Sequence, residues 1–403
     1  MARISTFFIV VALIAGMVGC EPLPPAQEIR DWYDLDAVRD NPGGSYLLMN
    51  DLDSTTAGYE DLASPIANGG KGWEPIGIEV YPSIDDPFTG TFDGQGYEIS
   101  DLCINRVDEW ELGLFGYVEG GRIKDTGVVN VTVTGKGEVG GLVGENYGTV
   151  SNSYTKGSVT GTQRVGGLVG LNRKTISNSY STGNNTGNSG VGGLVGVNWE
   201  TISNSYATGN VTGDEYVGGL VGVNSGTLSN SYSIGNITGN STVGGLVGFN
   251  DFDAAVSNSY AKGSVTGDEL VGGLMGCNLG TVSNSYAISS VTGDECVGGL
   301  IGGHAGTVSD SYSTGNVTGY ENFGGLVGYN DEGTVSNSFW DTQTSGQSTS
   351  DGGTGKTTTE MQDFTTFSSA GWNIIVVTLN QTNPTYIWNI VNGLTYPFLS
   401  WQP

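Results

Sequence analysis

VGGLVGVNWETISNSYATGNVTGDEY (Val191–Tyr216) is followed at once by VGGLVGVNSGTLSNSYSIGNITGNST (Val217–Thr242). The second segment repeats the first with its glycines, Leu, Asn and Tyr in register. Segments with the same opening begin at Val139, Val165, Val191, Val217, Val243, Val271, Val297 and Phe323, at a spacing of 26 residues with one interval of 28. The longer interval carries Asp251-Phe-Asp-Ala-Ala in a turn. Each unit holds three short runs rich in β-branched residues, separated by Gly, Asn and Ser, and none has the 3.6-residue apolar period of a helix. A unit of this length with three strands predicts one triangular coil of a right-handed parallel β-helix, an all-β solenoid that buries its apolar face only by stacking on its neighbours.

Stacking turns repeated residues into columns. Leu142 and its equivalents through Leu326 predict an inward ladder, and Tyr154 through Tyr312 and Phe339 an aromatic ladder at a corner. Two amide columns follow. The first runs from Asn146 to Asn330 with His304 as its exception, and the second from Asn152 to Asn337 with Asp310 as its exception. Stacked asparagines can hydrogen-bond along the rod and satisfy turn groups.

The repeats account for residues 139–338. Residues 1–20 read as a lipoprotein-type signal: Arg3, an apolar stretch from Phe7 to Val18, then Met17-Val-Gly-Cys20. That stretch is too short to span a bilayer comfortably. Cys20 is the expected lipidation site, which gives envelope lipid as a partner and a membrane-anchored, extracytoplasmic location. Plain secretion after cleavage nearby is the alternative. Residues 21–28, with Pro22, Pro24 and Pro25, read as a tether. Residues 29–138 are expected to form an N-terminal cap with degenerate coils, including a short helix over 29–40 from the spacing of Trp32, Leu35 and Val38. Residues 339–403 are expected to form an exit segment and a cap of bulky aromatics, Trp372, Trp388 and Trp401 among them, closing the apolar rod.

Net charge is −27, with 23 acids and 7 bases in 21–138 against 14 and 5 in 139–338. Such a surface repels phosphate backbones and argues against nucleic acid as a partner. Cys103, Cys277 and Cys296 form no CxxC, and the last two lie at unlike repeat positions, so stacking is expected to keep them apart.

The Gly-Gly-Leu-Val-Gly units resemble the GLUG-motif repeats of bacterial and archaeal surface proteins, including the repeat region of the M26 immunoglobulin A1 peptidases. Tyr46-Leu-Leu-Met-Asn-Asp, Trp73-Glu-Pro-Ile-Gly and Phe88-Thr-Gly-Thr-Phe-Asp-Gly look like the leader that precedes such arrays. Leu114-Phe115-Gly116 looks like a degenerate first coil, and Phe339-Trp-Asp-Thr looks like the exit. The resemblance implies a surface role. It does not extend to the peptidase, since no HExxH occurs and His304 is the one histidine.

Candidate chemistry is correspondingly sparse. His304 and Asp310, the two column exceptions, fall in one repeat and could form a polar pair or weak metal site, or reflect repeat drift. Asp268-Glu269 and Asp294-Glu295 stack in adjacent coils, with Asp214-Glu215 two coils earlier; they could bind Ca²⁺ or form a solvated turn. No basic residue lies in those turns, which weighs against a lyase. The sequence therefore points to a non-catalytic surface protein with an adhesive, binding or structural role and surface glycans or proteins as partners. A carbohydrate-active β-helix enzyme, a polysaccharide lyase or hydrolase, is the alternative.

Overall fold

A computed structural model describes residues 25–77 and 86–402. Residues 1–24, and with them the signal segment, Cys20 and the start of the tether, lie outside the described residues. The chain winds as an all-β solenoid of about nine turns, with parallel strands stacked at 26-residue intervals. Val143 pairs with Val169, Val169 with Val195 and Val195 with Val221. The 28-residue interval keeps the same register, Val247 pairing with Met275.

Three sheets form the faces. In the coil from Gln163 to Thr186, the strand Gln163–Gly166 belongs to a nine-stranded sheet. Val169–Asn172 and Thr175–Ser177 belong to a 19-stranded sheet, and Tyr180–Thr186 to a 14-stranded one. One face is thus split into two short strands by the turn after Asn172, so most coils carry four strand segments on three faces. The nine-stranded sheet starts at Trp110–Leu112, which makes the degenerate first coil a full rung.

The interior is repetitive. Leu142 through Leu326, together with the valines that open each repeat, are buried to 0% exposure with Phe323 as the exception. Fully burying one such side chain contributes about 1.5–3 kcal/mol, and the gain exists only between coils. Glycines flanking the leucines allow close approach of successive turns: a Cβ on Gly166 would lie 2.7 Å from the Gly196 nitrogen, and one on Gly170 2.3 Å from the Glu138 carbonyl carbon.

Polar ladders line the corners. Asn146 Nδ2 donates to Asn172 Oδ1 at 2.8 Å, Asn172 to Asn198 at 2.7 Å, and the series continues through Asn224 and Asn250 to Asn278. All six are fully buried. A second ladder, which sequence columns alone did not single out, is built from serines. Ser153 Oγ donates to the Ser151 carbonyl at 2.8 Å, while Ser179 Oγ accepts the Ser153 N–H at 3.2 Å, and the pattern recurs to Ser338. The second asparagine column acts through its backbone. Asn152, Asn178, Asn204, Asn230, Asn258, Asn284 and Asn337 all sit at φ of 45–50°, a left-handed corner that asparagine tolerates better than most residues.

The leader continues the solenoid rather than forming a separate domain. Gln27–Ile29, Ser45–Leu48, Thr91–Asp93 and Phe115–Lys124 pair in parallel, in that order. The expected helix is shorter than its sequence window: Trp32–Asp36 is α-helical, capped by Asp31, and Ala37–Asp40 is a 3₁₀ turn. Trp32, Leu35 and Val38 are all fully buried, and Trp32 packs on Tyr59 and Trp73.

Trp372, Trp388 and Trp401 do not close the end of the rod, whereas Trp340 joins the core there, against Gly325 of the last repeat. Ser350 and Asp351 meet the last coil, with Ser350 Oγ accepting the Val327 N–H at 2.8 Å and Asp351 Oδ2 accepting the Asn330 N–H at 2.7 Å. Beyond them the chain doubles back along the side of the solenoid. A three-stranded sheet (Ile374–Val376, Trp388–Ile390, Phe398–Leu399) lies there against the tyrosine ladder.

Candidate functional site

Outward-facing side chains are where one coil differs from the next. On the nine-stranded face, Glu269 pairs with Glu295 and Glu295 with Glu321, so three carboxylates occupy one exposed column. Asp268 and Asp294 stand one residue earlier in exposed turns, linked by the Asp294 N–H to the Asp268 carbonyl at 2.9 Å. Glu321 escaped the dipeptide pattern because its turn reads Tyr320-Glu321; only the register places it. Ser241 separates this group from Asp214-Glu215. Among the described residues, no three His, Cys, Asp or Glu side chains converge in a metal-holding arrangement.

His304 and Asp310 have different partners. His304 is 2% exposed and takes an asparagine's place inside the first ladder. Asn278 Nδ2 lies 3.2 Å from His304 Nδ1, and His304 Nε2 lies 3.4 Å from the Thr334 carbonyl. An amide NH₂ can only donate and a carbonyl can only accept, so this pairing fits the neutral imidazole with its proton on Nε2. Burial pushes the imidazole pKa down, against the hydrogen bonds to Thr334 and Asn278. Asp310 occupies the left-handed corner at φ 46°, where burial raises its pKa against a hydrogen bond from Asn337. Asp310 Oδ1 is buried without a hydrogen-bond partner.

The cysteines correct an expectation. Cys277 is pushed up to about 11, first by burial and then by the neighbouring Cys296. Cys296 sits at φ 54° just before Val297, a position that also takes positive φ in Glu138, Arg164, Gly190, Tyr216, Thr242, Leu270 and Asn322. Where this position carries Cys296 or Tyr216, the side chain reaches a residue at an unlike repeat position, Cys296 neighbouring Cys277. Tyr216 meets Phe249 in the same way, with ring centroids 5.7 Å apart.

Aromatic residues dominate two further surfaces. Tyr154, Tyr180, Tyr206 and Tyr232 stack at 4.8 Å with planes within 4° of parallel. They are half-buried on the outside of the coil, whereas Tyr260, Tyr286, Tyr312 and Phe339 are covered by the returning C-terminal segment. Trp401 lies over Tyr232 and Tyr260, Gln402 Nε2 donates to Tyr286 Oη at 2.5 Å, and Tyr312 Oη donates to the Pro397 carbonyl at 2.6 Å. Elsewhere, the Arg173 guanidinium lies between Tyr147 and Trp199, 5.2 and 4.2 Å from their ring centroids. Trp199 remains 52% exposed.

Comparison with known proteins identifies the repeats. The model of the GLUG motif matches residues 161–186, 187–212, 239–266 and 293–318, so the chain carries GLUG-motif repeats. A stretch of 136 residues is 34% identical to halomucin of Haloquadratum walsbyi, covering 32% of this chain and 1% of that protein. Another of 124 residues is 41% identical to a protein of Evansella cellulosilytica named as a Gly-rich membrane protein, covering 29% of this chain and 13% of that one. The chain therefore matches only a small part of each relative. A solved structure from Bacteroides ovatus, assigned as an immunoglobulin A1 protease, aligns over 94% of this chain and 93% of its own, with 18% identity and a TM-score of 0.40. That likeness speaks to neither chemistry nor ligand.

Proposed function

We propose that this chain is a non-catalytic solenoid of the cell envelope, held at the membrane through a lipidated Cys20 and serving a structural or adhesive role. The observation that carries the reading is the division of labour in the coil. Inner columns repeat one residue type over eight rungs, while outer positions differ from rung to rung, as Trp199, Phe249, Glu269 and Tyr329 do. The one histidine supports it: His304 is bonded into the internal ladder instead of facing solvent as a base. The names of the relatives, halomucin and a membrane protein, favour a surface setting. No helix among the described residues is long and apolar enough to cross a membrane, so the proposed attachment rests on the lipid.

Expression of the full chain and of Cys20→Ala, with incorporation of a fatty-acid probe and membrane fractionation, tests the anchor. The wild type should carry the probe and sediment with membranes, and C20A should do neither. A wild-type chain that stays unlabelled sinks the anchor. Turnover of neutral or acidic polysaccharides by the purified chain would sink the non-catalytic reading.

A further inference from the structure

Where the leader meets the first coil, a cleft of about 340 Å³ opens, with Pro75, Leu112 and Trp110 among its lining residues. Trp110–Leu112 is the outermost strand of the nine-stranded sheet, with the next coil on one side and, among the described residues, no strand on the other. The Trp110 ring leans onto that next coil at Gly137, where a Cβ would come 2.1 Å from Cζ3. Trp110 lines the cleft and keeps 42% of its surface exposed, while Trp32 and Trp73 nearby are fully buried. Leaving an indole open forgoes burial energy that its neighbours collect.

Polar groups line the same cleft. Arg106 is 9% exposed, and its Nε and Nη1 bond to the Trp73 carbonyl at 3.1 Å and Glu109 Oε2 at 2.9 Å. Glu109 also accepts Lys71 Nζ at 2.8 Å. Glu74 and Glu111 complete the lining. The cleft thus holds three carboxylates against one guanidinium, which disfavours an anionic ligand. A cationic ligand would duplicate what the chain supplies, because Lys71 and Arg106 serve Glu109 and Lys136 Nζ lies 5.4 Å over the Trp110 ring.

We propose that this cleft binds a neutral pyranose of a glycan, its C–H face laid on Trp110 and its hydroxyls bonded by the Arg106–Glu109 pair and Glu74. A sugar ring presents an apolar face to an indole and, at its edge, hydroxyls that both donate and accept. Fixed carboxylate acceptors and a guanidinium donor match them, and the volume lies in the range of small-ligand sites. The inference names a ligand class for the adhesive reading but needs only the cleft, so a failed Cys20 anchor leaves it standing and its own failure leaves the anchor untouched.

Titration of the purified chain with methyl pyranosides of the gluco, galacto, manno and N-acetylglucosamine series, and with their neutral oligosaccharides, tests it by tryptophan fluorescence and calorimetry. Oligogalacturonate and choline serve as charged probes. At least one neutral sugar should bind saturably. Trp110→Ala should weaken it by about tenfold or more, equivalent to about 1.4 kcal/mol, with the far-ultraviolet spectrum unchanged. Trp110→Phe should retain part of the affinity, and Trp199→Ala, which alters the other exposed indole, should leave it intact. Binding by no neutral sugar, undiminished binding by W110A, or preference for a charged probe each overturns the proposal.

Discussion

Asn278 offers its amide to a histidine: its Nδ2 lies 3.2 Å from His304 Nδ1, on a ladder whose rungs are otherwise asparagine. The imidazole passes the chain on sideways, to the Thr334 carbonyl, and Asn330 Oδ1 is left buried without a partner. A protonated His304 would set Nδ1–H against the Asn278 NH₂, donor against donor.

His304 is therefore expected to make the rod acid-sensitive. Its folded pKa lies below the ordinary histidine value, so the unfolded chain binds the proton more readily. Stability should fall as pH drops through about 6.5 and keep falling until the folded pKa is reached. His304→Asn should abolish that component and let residue 304 donate to Asn330 Oδ1, a gain of about 1 kcal/mol at neutral pH. Thermal melts between pH 7.5 and 4.5 check both; an unchanged pH slope in H304N would refute the assignment.

Asp310 titrates in the opposite sense. Burial raises its folded pKa, so its charged form is favoured more in the unfolded chain, and the stability it contributes when protonated is lost as pH rises through about 4 and above. Asp310→Asn keeps a residue suited to φ 46° and removes the buried charge. The variant should melt higher than wild type at pH 7, with the difference vanishing near pH 3. Equal melting at pH 7 would count against the desolvation account.

The returning C-terminal segment should behave as a clasp. Trp388 is fully buried, packs against Tyr286 and Tyr312 at 5.9 Å and donates Nε1–H to Asn284 Oδ1 at 3.3 Å. Trp388→Ala removes about 3–5 kcal/mol from this lateral contact. Limited proteolysis should then cut within 357–402 while the β-spectrum of the coils persists. Simultaneous loss of both would show that the segment is required for the coils themselves.

Glu269, Glu295 and Glu321 stack in one exposed column. Glu295→Gln, at the middle rung, should raise the melting temperature at low ionic strength and lose that advantage near 1 M salt, where the screening length falls to about 3 Å. If Ca²⁺ binds here, millimolar Ca²⁺ will raise the wild-type melt and leave E295Q unmoved; no shift in either excludes it.

The parts of the fold visible in the sequence are those where one residue type serves one column. Leu142 through Leu326 and Asn146 through Asn278 announce their own stacking, because inward positions admit a single shape. The bulge before each Val does not, since Glu138, Arg164, Thr242 and Leu270 share a positive φ with no residue in common. There the neighbouring coils impose the backbone, and the freed side chain is the variable one. Cys277 and Cys296 looked separate for that reason. The lateral C-terminal segment was hidden for another: Trp372, Trp388 and Trp401 signal burial, but not which surface receives them. Trp110 carries no signal beyond being a tryptophan at the margin of the array.

Within the eight repeats, every departure from regular length falls in one place. Asn250 to Ala255 and Asn330 to Thr334 are longer than the three-residue step from Asn172 to Thr175, and all three lie in the turn after the first asparagine column. The longest leaves Asn250 still bonded to Asn278 at 2.8 Å and puts Phe252 72% into solvent. That turn is a socket. A foreign loop seated in it would be tolerated coil by coil and presented in a straight file at the pitch of the rod, a scaffold on which the number and order of grafts could be written independently of the core.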